Sequence, residues 1–166
     1  MKRIFFALGL VLCILISSCS NPGGGVAVTA NDRDQAVQAM SAANSAALGQ
    51  AASASGNPSL VTYTGPYFSL NATFVPDLAG FMSASTSSAT VTETITGFHD
   101  GSTGYTISGT LVCTIHCTLS SMDTMSISGN FTLSGGNVRT MSLSLSFDLY
   151  GSPSGSVTVN GQTFLL

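Results

Sequence analysis

This 166-residue chain carries little charge, since Asp, Glu, Lys and Arg make up only 7% of it, against about 25% of a typical soluble domain. Lys2 is the single lysine, and beyond residue 18 two arginines stand against seven acidic residues, a formal balance of −5. Nucleic-acid binding depends on Lys and Arg that neutralise phosphates, so we expect no nucleic-acid partner.

The N-terminus has the parts of a signal peptide. Lys2 and Arg3 supply positive charge, residues 4–16 form an apolar stretch, and Ser17 and Ser18 are the small residues that a signal peptidase needs. The apolar stretch is shorter than the roughly 20 residues of a membrane-spanning helix. Residues 1–18 are therefore predicted to be a signal peptide.

Cys19 directly follows this segment, in the tetrapeptide Ile16-Ser17-Ser18-Cys19. The tetrapeptide resembles the lipobox of the bacterial lipoproteins, in which an aliphatic residue and two small residues precede the cysteine. The resemblance implies cleavage before Cys19, lipidation of Cys19, for instance with palmitate, and attachment of the protein to a membrane of the cell envelope. It covers about the first twenty residues and implies nothing about the activity of the rest.

The residue after Cys19 bears on localisation. In lipoproteins of the well-studied Gram-negative bacteria an aspartate there holds the protein in the inner membrane, whereas this chain has Ser20, which favours the outer membrane. The alternative is an ordinary secretory signal beside a chance cysteine. Such signals favour an Ala-x-Ala-like site, and none follows closely.

A tether and one helix are predicted next. Residues 19–30 include Asn21-Pro22-Gly23-Gly24-Gly25 and are expected to be a flexible tether. Asn31 is the expected N-cap. Apolar and small residues then recur at helical spacing, namely Val37, Met40, Ala43, Ala47, Leu48 and Ala51. We predict an amphipathic helix over residues 32–52.

From residue 60 onward apolar side chains alternate with Ser, Thr and Asn, most clearly over residues 68–74, 105–119, 125–133 and 141–149. This alternation predicts strands with one buried and one solvent-facing side, as in an antiparallel sheet. Turn residues separate the strands and include the hairpin dipeptide Asn160-Gly161. Short turns between neighbouring strands predict an up-and-down meander.

Residues 31–166 are therefore predicted to form one α+β domain dominated by β-structure, in which one N-terminal amphipathic helix packs on a curled antiparallel β-meander of six or seven strands. One alanine-rich helix cannot cover so many strands of a flat sheet, so we expect the sheet to curl around it. The alternative is a small closed up-and-down β-barrel. Residues 76–88 are expected to connect two strands.

Cys113 and Cys117, with His116 between them, form the one group of residues whose side chains suggest metal binding or thiol chemistry. A regular strand turns both cysteines towards the core and His116 away from them, so we predict no metal site. Four residues of strand separate two Cα atoms by roughly 13 Å, whereas a disulfide spans about 4.4–6.8 Å. Export favours oxidation, which leaves a candidate disulfide that needs a bulge at residues 114–116, or two unpaired core thiols.

Catalytic and cofactor-binding residues are not predicted. Pro153 occupies the position where a nucleophile elbow needs its serine. His99 and Asp100 are interpreted as turn residues, and Glu93 would face solvent if the register of its Thr-rich strand slips by one. We therefore expect no enzyme.

Two non-enzymatic functions remain. The first is a structural or protein-interaction lipoprotein of the envelope, with an envelope protein of unknown identity as its partner. The second is a periplasmic carrier, in which the curled sheet encloses a lipid or another hydrophobic ligand. We favour the first, because the helix and core side chains can fill the concavity of the sheet.

Overall fold

The computed structural model describes residues 28–54, 62–75, 86–118, 121–148 and 154–165. Within these ranges the chain forms one α-helix and one antiparallel sheet of eight strands, so the prediction of a β-dominated fold with a single helix is confirmed. No helix in these ranges is both long and apolar enough to cross a membrane. The predicted signal peptide, Cys19, the tether up to residue 27 and residues 76–85 of the predicted connection lie outside the described residues.

The elements follow one another along the chain without insertion. They are α1 (Ala30–Ala54), β1 (Thr62–Thr64), β2 (Phe68–Val75), β3 (Thr86–His99), β4 (Thr106–Thr118), β5 (Ser121–Ser134), β6 (Thr140–Asp148), β7 (Ser154–Val159) and β8 (Gln162–Leu165).

Helix α1 begins two residues before the predicted start, because Thr29 and not Asn31 caps it. The backbone N–H of Asp32 donates to Thr29 Oγ1 at 3.1 Å, and the backbone N–H of Thr29 donates to Asp32 Oδ2 at 3.1 Å. This reciprocal pair is a capping box. Hydrogen bonds from the side chains of Thr29 and Asn137 hold the pKa of Asp32 below its ordinary value, so the carboxylate at the positive end of the helix stays charged.

The sheet has the order β1 to β8, with each strand antiparallel to the next. The up-and-down meander is thus confirmed, but the count of six or seven strands is wrong. Strand β1 has only three residues, too few to display an alternation in the sequence.

The closed-barrel alternative is also wrong, since no pairing joins β8 to β1 in the described part of the chain. Both edge strands are short, with three residues in β1 and four in β8. Barrel closure needs tilted, staggered strands that pair all the way round, and such short edges offer few backbone groups for that pairing.

Residues of α1 and of the sheet belong to one hydrophobic cluster. From α1 it includes Ala36, Val37, Ala39, Met40, Ala43 and Ala47, and from the sheet it includes chiefly alternate residues of β3 to β8. The alanines among them are completely buried. Small side chains allow a helix axis to come close to a neighbouring surface.

Polar and ring contacts link the two ends of α1 to the two opposite edges of the sheet. Near its start, Asn137 donates to Asp32 Oδ1 at 2.9 Å, and the Arg33 guanidinium lies 5.2 Å from the centre of the Phe164 ring in β8. Near its end, the Tyr63 hydroxyl in β1 donates to Gln50 Oε1 at 3.1 Å. A helix of 25 residues is about 37 Å long, long enough to contact both edge strands.

Asn160 and Gly161 form the predicted β7–β8 hairpin turn. Their φ angles are 48° and 83°, in the left-handed region that a two-residue type I′ turn requires. Asn160 also accepts hydrogen bonds from the backbone N–H groups of Arg139 at 2.7 Å and Thr140 at 3.1 Å. The turn therefore fixes both its own hairpin and the start of β6.

Candidate functional site

Cys113 and Cys117 both lie on β4, where Cys113 is buried and Cys117 is half-buried. His116 is exposed on the opposite side of the sheet, as strand parity predicts. The pairing of β4 with β5 shifts between His116 and Cys117, but the additional residue lies on β5, between Met122 and Thr124. Strand β4 therefore remains extended through both cysteines.

No disulfide joins Cys113 to Cys117 in the structure. The bulge that would bring the two Cα atoms together does not occur on β4, so their separation stays near the roughly 13 Å of straight strand. Burial raises the pKa of the Cys113 thiol to about 12. Because the thiolate is the reactive form of cysteine, Cys113 is an inert core side chain at neutral pH.

Asp100 is a turn residue. Its carboxylate accepts hydrogen bonds from the backbone N–H and the hydroxyl of Ser102, at 3.1 and 2.9 Å, and from the Thr103 hydroxyl at 2.6 Å. Burial raises the pKa of Asp100, but the hydrogen bonds from Thr103 and Ser102 together bring it below the ordinary value. His99 contacts Thr106 Oγ1 through Nδ1 at 3.2 Å, so the two neighbours have separate, local partners.

In the part of the chain that the structure describes, no three His, Cys, Asp or Glu side chains approach closely enough to hold a metal ion.

A broad polar surface covers the solvent-facing side of the sheet, which we call the hydroxyl face. Its side chains lie in rows, because residues of equal parity are register partners from strand to strand. One row crosses all eight strands through Thr64, Ser69, Thr94, Thr110, Asn130, Ser142, Thr158 and Thr163. A parallel row contains Thr62, Asn71, Thr92, Val112, Ser128, Ser144, Ser156 and Leu165.

The hydroxyl face is without Asp, Glu, Lys or Arg among the strand residues whose side chains are described. Hydroxyls within a row bond to one another: Thr158 Oγ1 and Thr163 Oγ1 are 2.9 Å apart, and Thr90 Oγ1 and Thr114 Oγ1 are 3.3 Å apart. Strands lie about 4.8 Å apart and alternate residues about 7 Å apart. The face is therefore a regular array of small neutral donors and acceptors.

A shallow groove of about 550 Å³ runs along this face across β4 to β7. Hydroxyl and amide groups line it beside Gly109, Phe131 and Met141, and these polar groups come from Ser108, Asn130, Thr132, Thr140, Ser142 and Thr158. None of the lining residues is charged, and the groove combines apolar with hydrogen-bonding surface.

Glu93 differs from Asp32, Asp34 and Asp100, because it lies within a strand, on the buried side of the sheet. It is 2% exposed, and neither carboxyl oxygen has a hydrogen-bond partner. Its register partners are Leu70 on β2 and Leu111 on β4. Burial raises the pKa of Glu93 to about 7, so the side chain is largely neutral in mild acid.

The slip of register that would turn Glu93 to the solvent does not occur, since β3 keeps its register there and the shift falls later, between Ile95 and Phe98. The sequence did contain a signal for burial: Glu93 has the same parity as Ala89, Val91 and Ile95. Asn44 of α1 is a second such residue, 1% exposed with neither amide atom hydrogen-bonded. Nothing in its helical pattern distinguishes it from a surface asparagine.

Comparison with known proteins gives no family model, no curated protein and no solved structure that matches this chain. Its function must therefore be inferred from its own residues.

Proposed function

We propose that this chain is an envelope lipoprotein, anchored through Cys19 and located in the outer membrane, that presents its hydroxyl face to a protein partner. The observation that carries the proposal is the row of small neutral polar side chains that crosses all eight strands. Interface centres are depleted of charged residues, because a buried charge costs free energy unless it is paired. A partner can cover this face without burying one.

The anchor leaves the face free for such a role. Two or more acyl chains give stable membrane attachment without any contact between the fold and lipid. About ten tether residues between Cys19 and α1 reach roughly 17–19 Å as a flexible coil. The domain can thus turn its sheet towards another component of the envelope.

The shortness of the two edge strands favours the hydroxyl face over a strand edge as the recognition surface. An exposed edge strand can pair with another chain, and short edge strands limit such pairing. Here the edges have three and four residues, whereas the hydroxyl face extends over all eight strands.

The carrier alternative has less support. A carrier needs a cavity next to its apolar side chains, yet Ala36, Met40 and Ala43 of α1 are at most 1% exposed within the hydrophobic cluster. Close packing of that kind leaves little volume for a ligand.

The interaction is tested by placing one charge on the hydroxyl face. Ser128→Arg puts a guanidinium at an exposed position on β5, and Ser45→Arg puts the same group at an exposed position on α1. With the intact lipoprotein as bait after crosslinking in envelopes, we expect Ser128→Arg to lose most of the captured protein and Ser45→Arg to retain it. Equal capture by both variants would reject the face as the interaction surface.

A further inference from the structure

Among the residues that the structure describes, no counter-charge accompanies Glu93, whose pKa is shifted by burial and whose carboxyl oxygens have no hydrogen-bond partner. Its side chain is flanked by Leu70 and Leu111 on the neighbouring strands and by Val91 and Ile95 at the same parity on β3. A buried carboxylate costs several kcal/mol unless it is paired and hydrogen-bonded. The carboxyl group is therefore tolerated here in its protonated form.

The titratable groups on the elements around Glu93 do not compensate it. On β4, Cys113 lies opposite Val91, and burial keeps its thiol neutral. On β1, Tyr63 lies opposite Leu70, and its hydroxyl donates a hydrogen bond to Gln50.

Helix α1 offers no charge close to Glu93. Residues 35–50 of α1 include no Asp, Glu, Lys, Arg or His. Arg33 is at the other end of α1, in an ion pair with Asp34 at 2.6 Å and over Phe164.

The hydrophobic interior divides at Glu93. On one side, Leu70 and Val91 form a small cluster with the half-buried Ala72 and Tyr63, and Tyr63 packs against the main cluster as well. On the other side, Ile95 and Leu111 belong to the main cluster that includes α1. The small cluster lies at the β1 edge, where β1 has three residues. A strand of three residues contributes few backbone hydrogen bonds that would resist opening.

We propose that ionisation of Glu93 favours opening of the seam where α1 meets the β1–β3 edge of the sheet, so that open molecules are more populated above neutral pH than in acid. In the open form, water enters the seam and solvates the carboxylate. In the closed form, the carboxylate has no such solvation. This switch does not depend on the lipid anchor or on the hydroxyl face.

The pH dependence of opening follows from the difference between the pKa of Glu93 in the closed form and its pKa in the open form. In the closed form the pKa of Glu93 is raised from 4.5 to about 7, and in the open form water restores the lower value. The ratio of open to closed molecules therefore rises as the pH increases through this interval and levels off above it. A pKa difference of this size corresponds to a ratio on the order of 100-fold.

Hydrogen exchange of the full-length chain tests the proposal, by comparison of wild type with Glu93→Gln at the same pH so that intrinsic exchange rates cancel. At pH 8.5 we expect amides of β1 to β3 and of the second half of α1 to exchange on the order of 100-fold faster in wild type. At pH 5.5 the two proteins should differ by less than about tenfold. Equal rates at pH 8.5, or a difference spread uniformly over β5 to β7, would overturn the proposal.

A matched control separates burial from net charge. Glu93→Gln combined with Thr94→Glu keeps the charge of the chain but moves the carboxylate to the exposed side of β3. This double variant should exchange like Glu93→Gln, and wild-type behaviour would reject the mechanism. Glu93→Leu, which continues the leucines on both sides, is the second neutral variant and should stay closed at both pH values even if the glutamine variant folds poorly.

Discussion

At the scale of single residues, this protein combines an almost charge-free chain with one buried acid that nothing neutralises. Asp32 and Asp100 have hydrogen-bond partners that stabilise their charged forms. Glu93 has none, and its cost must be met by the packing around it. The residue therefore gives folding stability a pH dependence opposite in sign to that of the two aspartates.

Glu93→Gln is predicted to stabilise the protein much more at pH 8 than at pH 5. The pKa of Glu93 is raised to about 7 in the folded state and lies near 4.5 when unfolded. As the pH rises through this window, the unfolded chain releases a proton that the folded chain keeps, so wild type loses up to about 3 kcal/mol, and the loss is complete above the folded pKa. Urea unfolding of both proteins at both pH values measures this difference in the free energy of unfolding. An equal difference at pH 5 and pH 8 would contradict the assignment.

Lipidation at Cys19 is a second prediction at this scale, based on Ile16-Ser17-Ser18-Cys19. Cells given labelled fatty acid should incorporate it into wild type and not into Cys19→Ala. Cys13→Ala, in the apolar part of the predicted signal, is the matched control and should remain labelled. Label in the Cys19→Ala protein would remove the basis for the anchor and for the proposed localisation.

At the scale of elements, short-range chemistry sets the ends of α1 and of the hairpins. The capping box at Thr29 starts the helix, and Asn160 with Gly161 closes the last hairpin. Both motifs act within a few residues of chain. Only the hairpin was identified correctly from sequence, because Asn-Gly is a far more specific signal than a choice between Thr29 and Asn31 as N-cap.

The cap is tested by two alanine variants. Thr29→Ala removes the hydroxyl that accepts from Asp32 N–H and should destabilise the fold by about 1 kcal/mol or lower the melting midpoint by about 2–5 °C. Asn31→Ala, the cap expected from the sequence, should change it by less than about 0.5 kcal/mol. Thermal unfolding followed by circular dichroism checks both, and the reverse order of effects would show that the helix begins at Asn31.

At the scale of the whole molecule, an open eight-stranded sheet shares one hydrophobic cluster with a single helix. The alanines of α1 that belong to this cluster are completely buried, and we expect no volume for an apolar ligand. The hydroxyl face on the other side is the surface that a partner can reach. The two proposed functions therefore predict different responses to lipids.

Fatty acids and phospholipids should leave the melting midpoint unchanged at pH 5.5, where Glu93 is protonated. A carrier at a hundredfold excess of ligand over Kd would gain about 2.7 kcal/mol, equivalent to roughly 5–10 °C for a domain of this size. A detergent-free control with a soluble sugar fixes the baseline. A reproducible rise with lipid would favour the carrier.

The sequence by itself determined the elements whose signal is periodic or local. Alternation along residues 68–74, 105–119, 125–133 and 141–149 predicted β2, β4, β5 and β6, and the same alternation determined that the solvent-facing side consists chiefly of Ser, Thr and Asn. Side-chain parity in a strand has a strict period of two, so a long alternating segment leaves little choice. It also placed His116 on the face opposite Cys113.

Only the tertiary structure decided the number of strands, the open edge, the alignment of the rows and the burial of Glu93. Strand β1 is too short to have a period, and closure depends on how distant edges meet. The rows depend on register between strands, which turns and bulges set. Glu93 lies at a strand position whose parity predicts a buried, apolar residue. The register of the sheet places it between Leu70 on β2 and Leu111 on β4, neither of which offers it a hydrogen-bond partner.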